Sequence, residues 1–77
     1  MNKLNICLTE WQTRIILEAL NELEKKWQHI NQTTQDEDEQ ADYANDLVEL
    51  SMTKRHVTEA AVQVFSRSVT NFDRTFV

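Results

Sequence analysis

Between Thr9 and Ile30 the stretch TEWQTRIILEALNELEKKWQHI carries apolar residues at a helical period. Ile16, Leu20, Leu23, Trp27 and Ile30 follow one another at spacings of four and three, the seam along which one helix packs on another. At about 100° per residue, Leu8, Trp11, Ile15 and Ala19 lie to one side of that seam and Leu17 to the other. The first half of the helix is therefore apolar over more than half its circumference. One partner helix covers a stripe of roughly 100°, so this half requires a second partner. Its ends are marked as well. Thr9 and Gln12 have the spacing of a capping box, Glu10 favours the positive end of the dipole, and Lys25 and Lys26 sit toward the negative end.

The flanking segments are weaker. From Lys3 to Leu8 the alternation of Leu4, Ile6 and Leu8 with Asn5 and Cys7 has the period of a half-buried strand. So short a strand would need an edge from the C-terminal segment or from a second copy. The expectation is an extended lead-in whose Leu4 and Ile6 pack over the helices, with Cys7 a small buried apolar residue. Asn31 to Gln35 reads as the turn, and Thr34 with Glu37 as a second capping box that places the acidic run 36–39 in the first turn of the next helix. That helix is predicted to end near Met52. Its seam is Tyr43, Leu47 and Leu50, widened by Val48 and by Ala41 and Ala44, which are small enough to admit Trp27 or Ile30. A short connection makes the two helices antiparallel.

Beyond Ser51 the pattern loosens, and with no glycine or proline to enforce a break it leaves open whether the helix bends there or continues. Val57, Ala61, Val64, Phe65, Ser68 and Phe72 share a helical face, while the β-branched content of 62–69 also permits a strand. The fold class expected is all-α: an antiparallel helical hairpin (about 9–31 and 36–52) plus a C-terminal helical segment (about 54–70). Residues 1–77 are expected to form one small domain, short for a self-sufficient core, in which the Ile16 to Ile30 seam holds the chain's own second helix and the Leu8, Trp11 and Ile15 surface is buried against a second copy in a dimeric four-helix-type bundle.

Composition narrows the function. The chain has no glycine and no proline, which disfavours tight hairpins, phosphate-cradling loops and nucleophile elbows. A single cysteine forms no internal disulfide. With no basic and apolar leader and no apolar run near 18 residues, the expectation is a soluble, cytoplasmic protein with no membrane contact. A net charge of −5 disfavours nucleic acid and suits a basic protein partner.

No arrangement of side chains points to catalysis, a metal or a cofactor. Neither His29 nor His56 has a glutamate three residues before it, the spacing used inside di-metal bundles. The run 36–39 lacks the glycine and alternating ligands of a calcium loop. An all-α magnesium-dependent nucleotide hydrolase would need paired acids on adjacent helices. Glu39 with Asp42 and Asp46 with Glu49 have that spacing, whereas Glu18, Glu22 and Glu24 on the first helix do not. Lys54, Arg55 and His56 form a compact basic spot, the basis for weak nucleic-acid binding, and Asp36, Asp38, Asp42, Asp46 and Glu49 form a row that would suit a DNA mimic.

The function expected is a small non-enzymatic protein-interaction module, a regulator, adaptor or inhibitor acting through helical faces. It would be a homodimer with a further protein partner. The packing and interface candidates are Leu8, Trp11, Ile15, Ile16, Ala19, Leu20, Leu23, Trp27 and Ile30 on the first helix and Tyr43, Leu47 and Leu50 on the second. Phe72 and Phe76, on an apolar tail, are the candidates for partner binding.

Overall fold

The computed structural model describes residues 2–72, and among them there are two long α-helices and no strand. Helix α1 runs Glu10–Thr33 and begins at the expected capping box. The Gln12 amide donates to Thr9 Oγ1 at 3.1 Å, and the Thr9 amide donates to Gln12 Oε1 at 3.0 Å. Helix α2 runs Glu37–Phe65. Its cap is Asp36 rather than Thr34: the Asp36 carboxylate accepts from the amides of Asp38 at 3.0 Å and Glu39 at 3.4 Å. The Thr34 hydroxyl instead accepts from the Asp36 amide, which tightens the connection.

The second helix does not stop near Met52, and no separate helical segment starts at 54. The polar residues that weakened the apolar pattern there are accommodated within the helix. The Thr53 hydroxyl donates to the Glu49 carbonyl at 2.9 Å and the Thr58 hydroxyl to the Lys54 carbonyl at 2.6 Å, each one turn back. Nor is 62–69 a strand. Helix α2 ends at Phe65, Ser66 turns the chain with φ 71° and ψ 177°, and a short 3-10 turn, Arg67–Thr70, follows.

The helices run in opposite directions. Near the connection the Gln40 side chain donates to the Asn31 carbonyl at 3.2 Å; midway Lys54 meets Asn21 and Glu24; at the far end Arg14 reaches Asn71. The core lies at that far end, where Leu17 of α1, Ala61 of α2 and Val69 of the 3-10 turn are buried together. Val57, Val62, Phe65 and Phe72 pack around them. Thr13 is buried beside this cluster, its hydroxyl donating to the Thr9 carbonyl at 2.8 Å. Leu50 is buried separately, nearer the connection.

The molecule is one helical layer. Its extents are 42 × 42 × 14 Å. The radius of gyration is 14.9 Å, against about 11.5 Å for a compact chain of this length. It exposes 6493 Å² of surface, where a compact monomer of its mass exposes about 4900 Å².

Candidate interaction surface

The direction in which α1 meets α2 is given by Thr13, Leu17, Asn21, Glu24 and Asn31, which are buried or in polar contact with the second helix. These fall along one line of the α1 wheel, and it is a largely polar line. The apolar seam of Ile16, Leu20, Leu23, Trp27 and Ile30 is centred about 90° around the helix from it. All five seam residues are half-buried. Leu20 and Trp27 stand on the flank nearest α2, and Trp27 meets Tyr43 edge-on, with ring centroids 6.2 Å apart at 64°. Ile16, Leu23 and Ile30 point further out, onto a broad face of the layer.

The outer edge of α1 lies farther round. Ala19 and Ile15 are exposed, Leu8 is half-buried, and Trp11 is 57% exposed. Trp11 is held in place: the Arg14 guanidinium lies over its ring, 5.1 Å from the centroid, while Arg14 Nη2 donates to the Asn71 carbonyl at 2.6 Å. The segment after the 3-10 turn is thus linked to the indole through Arg14. On α2, Tyr43 and Leu47 are half-buried and Leu50 is buried, while Ala41 and Ala44 are exposed rather than receiving Trp27.

At the open end of the hairpin the segment before α1 crosses one face and leaves a shallow groove of ≈ 270 Å³ between Ile6 and Leu8 and the α2 residues Val57, Ala60, Val64 and Phe65. That segment does not seal the bundle as expected. Leu4 is 83% exposed, Ile6 is exposed, and so is Cys7, because 2–8 make no backbone hydrogen bond with the rest of the described chain to hold them down. Phe72 is half-buried against the Leu17, Ala61 and Val69 core, which uses it for packing, and Phe76 lies outside the described residues.

The charged candidates are placed differently from one another. Lys54 is drawn into the helix interface, its Nζ donating to Asn21 Oδ1 and Glu24 Oε1, both at 3.0 Å. Arg55 lies 4.0 Å from Glu59 on an exposed face. The basic spot therefore contributes one interfacial lysine and one surface pair, and a surface pair of this kind holds little energy. Among the acids, Asp36 caps α2 and Glu24 binds Lys54, while Asp42, Asp46 and Glu49 are exposed. His29 and His56 are exposed. Among the described residues no three His, Cys, Asp or Glu side chains are grouped closely enough to hold a metal ion, and no helix is long and apolar enough to cross a membrane.

Three contributors were not legible in the pattern: Thr13, Val69 and Lys54. Each is polar or lies in a stretch of mixed period, and only Thr13, one turn before Leu17, had a spacing that could have signalled burial. No family model, no curated protein and no solved structure matches this chain.

Proposed function

We propose that this chain is a small non-enzymatic interaction module that works as a homodimer and docks a protein partner through the outer edge of α1. The observation that carries the reading is the Trp11, Arg14 and Ile15 cluster. Tryptophan and arginine supply most of the energy at protein interfaces when they are rigid and become desolvated. Here the exposed indole has the Arg14 guanidinium over its ring, and Arg14 also donates to the Asn71 carbonyl, contacts that lower the cost of immobilising it on docking. Ile15 extends the apolar surface by one turn. The net charge of −5 favours a partner with a basic rim around its apolar site.

The test is retention of a host protein on the immobilised chain. Trp11→Ala is expected to abolish retention while leaving helicity and oligomeric state unchanged, and Trp11→Phe to retain part of it. Undiminished retention by Trp11→Ala would remove the edge from consideration. A nucleic-acid role through Lys54 and Arg55 receives no support from the contacts of Lys54, whose ammonium is engaged by Asn21 and Glu24.

A further inference from the structure

The 4-3-4-3 seam on α1 is the longest regular apolar row in the chain, and α2 meets only its Leu20 and Trp27 flank. The second helix lies against the polar line through Leu17, Asn21 and Glu24, leaving Ile16, Leu23 and Ile30 facing out of the layer. A seam with heptad-type spacing is completed by another helix with the same spacing. Within the described residues α2 is the one other long helix, and its position is taken.

We infer that a second copy of this chain covers the seam, with the two α1 helices crossing antiparallel about a two-fold axis at Leu23. The spacing makes the seam complementary to itself. Read backwards, Ile30, Trp27, Leu23, Leu20 and Ile16 repeat the pattern nearly in register. A two-fold at Leu23 then sets Ile16 opposite Ile30 and Leu20 beside Trp27, pairing the slimmer half of the seam with the bulkier half. Such a contact is isologous and closes at two copies.

A dimer reduces the exposed surface. The chain exposes about 1600 Å² more than a compact monomer of its mass, and a stable interface of standard size, which removes roughly 800 Å² from each partner, takes up about half of that excess. Stacking two layers, each 14 Å thick, also converts two single-layer hairpins into the two-layer core that small helical domains require. The inference rests on the dimer named above but assigns it to the seam, leaving the Trp11 edge open for a different protein.

Cysteine cross-linking on a Cys7→Ser background tests the geometry. Leu23→Cys is expected to give a covalent dimer on mild oxidation or with a short bis-thiol reagent. Ile16→Cys and Ile30→Cys should cross-link with each other when mixed and neither with itself. In sedimentation equilibrium Leu23→Glu should weaken dimerisation about a hundredfold, because it would bury an unpaired charge. Val48→Glu, on an exposed position of the outer edge of α2, should leave it unchanged and serve as the fold control.

A dimer in which Leu23→Cys fails to cross-link and Leu23→Glu changes nothing would overturn the seam assignment and leave the dimer standing. A monomer at every concentration would overturn both. If Leu23→Glu loses helicity, the cross-linking pattern alone decides, since those variants keep the seam apolar.

Discussion

At Leu17 three parts of the chain meet: α1, Ala61 of α2 and Val69 of the 3-10 turn. Leu17 is 2% exposed, and its immediate core is so small that no second layer can share the loss if the side chain is cut back. Leu17→Ala removes buried carbons and leaves a cavity, an expected cost of about 3 kcal/mol. For a domain of this size that is a large part of its total stability. Urea denaturation should place the midpoint of Leu17→Ala far below that of Leu23→Ala measured at a concentration where the chain is monomeric. The periodic pattern placed Leu17 off the seam. The monomer packs by that off-seam residue, and along the same line of α1 Lys54 of α2 binds Asn21 and Glu24.

On the scale of elements, α1 was legible in full because its capping box and its apolar period agree. Helix α2 was legible at its start and not at its end. Nothing in SMTKRH breaks a helix, and threonines whose hydroxyls return to their own helix read as turn formers in a pattern of apolar spacing. The real stop is Ser66, the one described non-glycine residue with positive φ. Its φ of 71° and ψ of 177° fall in a region that is essentially reserved for glycine and costs about 1–3 kcal/mol for other residues. The chain accepts that strain in order to swing Val69 under Leu17. Ser66→Gly relieves it at a smaller entropic cost, so the expected result is a gain of roughly 1 kcal/mol in unfolding free energy. Parallel thermal and urea unfolding would check this, and a destabilised variant would show that Ser66 is not strained.

For the whole molecule, the all-α class and the surplus apolar arc of α1 followed from the sequence, but the allocation of its faces did not. A wheel shows which residues share a direction and not which direction a second helix takes. That depends on long-range polar pairs such as Lys54 with Glu24, which no local period contains. The resulting layer has a radius of gyration of 14.9 Å and leaves Trp11, Ile15, Val48, Met52 and Val64 exposed, and the proposed dimer predicts a stability that depends on concentration. Association through the native state alone raises the melting temperature with the logarithm of concentration. For a dimer of two such chains a hundredfold increase is worth about 2.7 kcal/mol and should raise the midpoint by roughly 5–10 °C. Because the seam carries no charge, that increment should persist in high salt, whereas docking at a basic-rimmed partner should weaken as salt screens its charges. Melting curves from micromolar to near-millimolar chain, at low and high salt, separate the two surfaces. A midpoint independent of concentration removes the dimer, and one whose dependence disappears in salt moves the dimer off the apolar seam.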